Sequence, residues 1–409
     1  MIKRNPPIKI YINSFALILM VVALYIGNAA FVKNNTGGLD FLAHWQGARA
    51  FTTDGINPYS DQSANLINSK IKELFSDLTD NYRFVAPLFS LVFLAPVSLI
   101  ADFAVARAIW MTMLEAMLLL GGYVISRWVG RDKSLLISLV VILMVLLNYS
   151  TVITLINGGL AIVSFTLVIC GIHFLLKKQD EAAGLMLALS LVKPDMVYPI
   201  LLILIVWVIV TRRLTVFWWF LATFVLVMGF SMVLIPNWPV DYLRSVIEYS
   251  ARNPVRMTAL APTALEIRFL LVKNLAIALL IIYEWFVVKT RGSQRFLWTS
   301  GLLLAVSPWI GGTTSPAHTI LIIPALFIGI GYLGGSRKEK SSLRMLLIPL
   351  LLGLSSWLFS GWLVSGISEA WQNNWLKVVV PLVVLVILYW SRWWVIRSEK
   401  FSQAHFTLS

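Results

Sequence analysis

YINSFALILMVVALYIGNAAFV (residues 11–32), followed by KNNTGGLDFLAHWQGARAFTTDGINPY (residues 33–59), is the stretch whose reading decides the fold. Its first part runs 22 residues without a charged side chain. That length crosses the hydrocarbon of a bilayer as a helix and exceeds the apolar core of a signal peptide. It is expected to be an uncleaved first span behind the short basic segment Met1 to Lys9. The second part is polar, aromatic and rich in glycine, as befits chain leaving the membrane. Asp40 to Thr53 places Phe41, Trp45, Ala48 and Phe51 near one face of an amphipathic helix. Asn57-Pro58-Tyr59 reads as a turn.

Similar apolar runs recur outward from this stretch as far as Trp394. Apolar types make up 59% of the 409 residues and charged types 13%, with a mean hydropathy of +0.82. A soluble domain carries about 25% charged residues, so too little polar surface remains to coat a water-soluble globule. The expected architecture is an all-α polytopic membrane protein forming one domain over 1–409. Spans are expected near 11–32, 103–126, 134–150, 157–177, 183–194, 197–211, 215–235, 265–289, 295–309, 317–334, 342–362 and 376–395. With both termini cytoplasmic, 20 of the 33 Lys and Arg fall in inner loops, tails and inner span ends. The outer loops after residue 150 hold only Arg244, Arg252 and Arg256, as the positive-inside rule asks. The net charge of +14 is thereby read as topology and contact with anionic lipid, with no nucleic acid implied. Cys170, the single cysteine, sits within an apolar run as a small packed hydrophobe.

The outer side is asymmetric. The first outer loop, 33–102, holds the amphipathic helix and a second one over Ser63 to Leu78, and either can lie flat on the membrane. The second large outer loop is 236–264. Phe84 to Ala101 is apolar enough to cross but contains Pro87 and Pro96, and it is read as re-entrant or interfacial. The rival reading has it cross and merges 183–211 into one kinked helix, which would move Arg127, Arg131, Lys133, Lys177 and Lys178 outside.

Ionisable groups at membrane depth face a cavity or a partner, and four places stand out. Asp40 opens a helix, either as an acid suited to the helix dipole or as a general base at the bilayer surface; His44 follows on the same face. Lys193-Pro194-Asp195 breaks an apolar stretch. Its two charges either pair with each other, or Lys193 is held out for an anion. Arg252 and Arg256 are loop cations or a phosphate clamp. His318, in Ser315-Pro316-Ala317-His318 after Gly311-Gly312-Thr313-Thr314, is structural or joins Asp40 on the same side of the membrane. There is no P-loop, no dinucleotide fingerprint, no HExxH and no GxSxG, which argues against nucleotide-driven chemistry.

These residues resemble a family. Asp40, Gly47-Ala48-Arg49-Ala50 and Gly55-Ile56-Asn57-Pro58-Tyr59 are similar to the first outer loop of polyprenol-phosphate-mannose-dependent alpha-mannosyltransferases of the GT-C superfamily, the bacterial group of glycosyltransferase family 87 type. Tyr82-Arg83-Phe84-Val85-Ala86-Pro87-Leu88, Ala183-Gly184 through Lys193-Pro194, and Ser315-Pro316-Ala317-His318 continue the resemblance to about residue 320. Gly159 of Asn157-Gly158-Gly159 stands where that family has Gln, and Ala86 replaces one Pro. The resemblance implies a GT-C fold of about 12 spans in the plasma membrane, active on the extracytoplasmic side. The donor would be a polyprenyl-phosphate-linked sugar, mannose by resemblance, passed with inversion to a glycolipid or lipid-linked glycan of the cell envelope. Asp40 would be the catalytic base and His318 a proton relay or phosphate contact. Lys193, Arg252 and Arg256 would hold phosphate, and His44, Tyr59 and Asn157 would line the substrate site. No cofactor and no metal are expected, because the lipid-linked donor is itself a substrate. A multi-span transporter or lipid flippase without transferase activity is the alternative, supported by the broken helix at Pro194. A scaffold that binds without turnover is the third reading.

Overall fold

The computed structural model describes residues 8–35, 37–75, 81–129, 135–252, 264–288, 293–310, 316–334, 340–359 and 378–397. Among these residues the elements are helices, with no strand. They are α1 (Ile8–Asn34), α2 (Leu39–Asp54), α3 (Asp61–Leu74), α4 (Leu91–Ser98), α5 (Phe103–Val129), α6 (Leu135–Leu147), α7 (Tyr149–Asn157), α8 (Ala161–Leu176) and α9 (Asp180–Leu189). There follow α10 (Pro194–Val210), α11 (Leu214–Leu234), α12 (Trp238–Arg252), α13 (Ala264–Val288), α14 (Ser293–Ile310), α15 (Ile322–Gly334), α16 (Lys340–Leu358) and α17 (Val380–Arg397). Tight turns precede α4 (Leu88–Ser90), α10 (Ser190–Val192) and α15 (Pro316–Leu321).

A helix stands at each of the twelve places where the sequence expects a span, and the chain is an all-α polytopic membrane protein. Ser14–Asn34 of α1, α5 and α11 are each long and apolar enough to cross a bilayer alone. α6 and α7 together form a fourth candidate, bent by 53° at Asn148. Phe15 and Ile18 on α1, and Val225, Leu226 and Phe230 on α11, face outward. Such a face is costly in water and neutral in acyl chains. α5 is the hub, packing against α1, α6 and α8. α8 carries α9, α9 lies along α11, and α14, α15 and α17 pack together.

One feature agrees with the sequence reading: the 84–101 segment, read as re-entrant or interfacial, forms only a tight turn and the eight-residue α4, about 12 Å of helix, too short to cross alone. Two features depart from it. First, residues 151–156, expected as a short loop between spans, form the helix α7. Asn148 Oδ1 accepts from Ser150 N at 3.0 Å and starts this helix after the bend. Second, α2 is covered on more than one face. It buries Phe41, Leu42, Ala43, Trp45, Gly47, Ala48 and Ala50, so protein encloses most of its circumference. α3 keeps the expected amphipathic form, with Ile67 and Ile71 buried, but ends at Leu74.

The chain around Asn57, Arg83 and Phe89 packs against α12. Asn57 Nδ2 donates to Asp241 Oδ2 of α12 at 2.9 Å, and Ser245 Oγ donates to Phe84 O at 2.8 Å. The buried Arg83 reaches Asp61 at 2.5 Å and Glu248 at 2.7 Å. Trp238 meets Phe89 edge-on. Arg256, Gly311-Gly312-Thr313-Thr314, Ser315 and the loop cations Arg131, Lys133, Lys289, Arg291, Arg337 and Lys338 lie outside the described residues.

Candidate active site

Local backbone chemistry brings Asp40 to a defined place. Gly38 caps α2 with φ +80°, in the left-handed region that glycine enters without penalty. A Cβ there would stand 2.6 Å from Arg107 Nε. Arg107, buried on α5, donates to Asn35 O at 2.9 Å and to Ile156 O at 3.2 Å. One guanidinium thus ties the end of α1, the start of α2 and the end of α7. α7 stops at Gly158 (φ +71°), a glycine C-cap. A Cβ on Gly158 would stand 2.5 Å from Phe41 Cβ. Trp110 Nε1 donates to Gly158 O at 2.8 Å, and its ring stacks on Phe41.

The result is an exposed Asp40 in the first turn of α2, where negative charge suits the helix dipole. Gly159 is its neighbour, since a Cβ on Gly159 would lie 3.5 Å from Asp40 Oδ2. The residue that departs from the family pattern is therefore a buried neighbour of the carboxylate. Asn157 is half-buried at the end of α7.

Facing this is the break before α10. Lys193 has extended backbone (φ −130°), and Pro194 begins the helix, where its missing N–H costs nothing. Lys193 Nζ lies 3.2 Å from Asp195 Oδ2, with side chains 28% and 43% exposed. The buried His318, in the turn before α15, brings Nε2 to 3.0 Å from the same Asp195 Oδ2. Lys193 thus pairs with Asp195, the first of its two sequence readings, while its side chain stays partly exposed. Asp40 and Tyr249 act electrostatically on Lys193, and Lys193 acts on His44. Asp195 in turn acts on Tyr242 of α12, whose hydroxyl pKa is pushed up to about 12, chiefly by burial.

His44 sits edge-on to Phe84, with Nδ1 enclosed and without a hydrogen-bond partner. Burial first, and the Lys193 charge second, lower its pKa to about 4, so it is neutral at pH 7. Tyr59 stands one layer behind. Its ring meets Phe84 and Tyr242, and its hydroxyl donates to Ala86 O at 2.7 Å. Arg252 closes α12. Beside His318, Ser150 Oγ and Thr319 Oγ1 are 2.5 Å apart. Beside them a small, mostly apolar pocket of about 30 Å³ is lined by Ile322, Leu326, Pro349 and Leu352.

Asp40, His44, Lys193 and His318 are therefore gathered, and Tyr59 supports their wall. Sequence reasoning missed three participants. Asp195 was seen only as a partner for Lys193. Arg107 had a readable signal, a charge near the start of an apolar run. Tyr242 had none. Two polar contacts deeper in the helices were also missed. Asn28 Nδ2 donates to Glu115 at 2.7 Å, and Arg392 Nε donates to Glu284 at 2.7 Å.

The family model of glycosyltransferase family 87 matches residues 84–308. That stretch includes Asn157, Lys193 and Asp195; Asp40, His44 and His318 lie on either side of it. No curated protein and no solved structure was found to match the chain.

Proposed function

The chain belongs to glycosyltransferase family 87, and on that premise we propose that it transfers mannose from a polyprenyl-phosphate donor to a hydroxyl of a glycolipid or lipid-linked glycan. The reaction takes place on the extracytoplasmic side of the plasma membrane and inverts the anomeric carbon. Asp40 removes the proton from the attacking hydroxyl. Lys193 faces the phosphate and stabilises the charge that develops there as the glycosidic bond breaks. His318 takes part in moving the proton, and Arg252 and Arg256 add positive charge. The whole chain acts as one GT-C unit, and the lipid-linked donor needs no separate cofactor.

The observation that carries this reading is a carboxylate and an ammonium brought near each other from different elements. Asp40 is on α2, Lys193 precedes α10, and each lies within the other's electrostatic reach.

The test is transfer of radiolabelled mannose from polyprenyl-phosphate-mannose to membrane lipid, by membranes holding native or Asp40→Asn protein. Native membranes are expected to label a lipid product, and Asp40→Asn to lower the rate by ~10²–10⁴-fold, the usual worth of a general base. Equal labelling by both proteins would remove Asp40 from the mechanism.

A further inference from the structure

Lys193 and His318 are 125 positions apart in sequence, yet both meet one atom. Asp195 Oδ2 is 3.2 Å from Lys193 Nζ and 3.0 Å from His318 Nε2. We propose that Asp195 is a positioning residue for sugar transfer: its shared oxygen holds the Lys193 ammonium and the His318 imidazole in one fixed relation to Asp40. This rests on the reading of the crevice as a transferase site.

The argument begins with the imidazole. A carboxylate oxygen only accepts, so at 3.0 Å the ring nitrogen facing it must carry the hydrogen. The neutral ring is thereby fixed as the Nε2–H tautomer, leaving Nδ1 bare to accept a proton. A carboxylate that selects a tautomer in this way governs catalysis without touching substrate. His318 is buried, and its neighbour Thr319 is tied to Ser150, so the ring has little freedom to take another partner.

The second half of the argument is charge. Lys193 must be ordered before a donor arrives, and Asp195 orders it. The same carboxylate also opposes an incoming phosphate, because like charges repel at this range. Asp195 therefore has two opposite effects. It weakens the binding of the anionic donor and raises the rate of the bound complex. The side chain is 43% exposed, so an arriving phosphate feels its charge through space without contact. A carboxylate serving only to pack α10 would show neither effect.

The experiment uses full-length native protein, Asp195→Asn and Asp195→Glu in nanodiscs. Nitrogen-15 NMR of the histidine rings, with His318 identified by subtraction of a His318→Gln spectrum, reads the tautomer without substrate. The chain has four histidines, so the subtraction is tractable. Native His318 is expected as the Nε2–H form, and Asp195→Asn as a mixture or the other tautomer. Kinetics with polyprenyl-phosphate-mannose then separate the two effects. Asp195→Asn is expected to lower the donor KM several-fold and to lower kcat by roughly 10²–10⁴-fold, the range seen when an orienting carboxylate is neutralised. Asp195→Glu keeps the charge but displaces the oxygen; it is expected to keep the native KM and still lose kcat. An unchanged His318 spectrum in both variants, or an unchanged kcat, overturns the proposal. Absence of turnover by native protein would instead count against the transferase reading, while the spectra would still decide the role of Asp195.

Discussion

Two ion pairs of the described residues are built in opposite ways. Glu284 on α13 and Arg392 on α17 form a closed pair. The carboxylate is 3% exposed and the arginine 25%, the paired nitrogen is 2.7 Å away, and both residues sit in regular helix, so the contrast lies in the acids. Asp195 and Lys193 form an open pair. It sits at a helix break, its side chains are 43% and 28% exposed, and one oxygen is shared with His318. A charge taken out of water requires a partner, and a closed pair meets that need by excluding everything else. An open pair has met it only in part and can exchange partners with an anion that enters. The contrast separates a contact that joins helices from one that can serve chemistry, and exposure marks the difference better than distance does.

The comparison can be broken at either end. The largest expected effect is on stability. Arg392→Met leaves Glu284 buried without its cation and should cost about 3–5 kcal/mol, read as a large fall in the thermal midpoint of the purified protein. The protein that remains folded should transfer sugar normally. Next comes Lys193→Met, which should lower transfer by ~10²–10³-fold, the worth of one pre-placed charge stabiliser, with the thermal midpoint nearly unchanged. If the two variants exchanged phenotypes, the comparison would be wrong.

Smaller effects sharpen it. Gly38→Ala forces a side chain into a left-handed backbone and against Arg107 Nε at 2.6 Å. It should cost about 1–3 kcal/mol and also slow transfer, because the same turn aims Asp40. His44 should give the smallest effect. Its pKa falls from 6.5 to about 4 on folding, so between these values the unfolded chain takes a proton that the folded chain refuses. Stability is then unaffected above pH 6.5 and falls as pH drops from 6.5 toward 4. His44→Gln should flatten that part of the curve relative to native protein, as measured by thermal unfolding across pH.

The helical framework was legible because long apolar runs report membrane helices through composition alone. Asp40 and the Lys193-Pro194-Asp195 break were legible for the same reason, as polar exceptions in an apolar text. What stayed hidden depended on partners distant in sequence. His318 reaches Asp195 across 123 positions, and α12 covers the chain around Asn57 and Arg83 through Asp241, Ser245 and Glu248, which read alone as ordinary loop polarity. The enclosure of α2 was hidden differently. Ala43, Gly47, Ala48 and Ala50 are buried, yet residues so small carry little hydrophobic contrast. A Cβ on Gly47 would come within 2.7 Å of Phe84, so here small size marks close packing.

The most direct test of the account sets Asp40→Asn beside Glu284→Gln in proteoliposomes carrying equal amounts of folded protein, with label transfer from polyprenyl-phosphate-mannose as the readout. The account predicts that Asp40→Asn loses transfer and keeps the native thermal midpoint, and that Glu284→Gln transfers at the native rate per folded molecule with its midpoint shifted. Transfer retained by Asp40→Asn and lost by folded Glu284→Gln would contradict it and move the chemistry away from the open crevice.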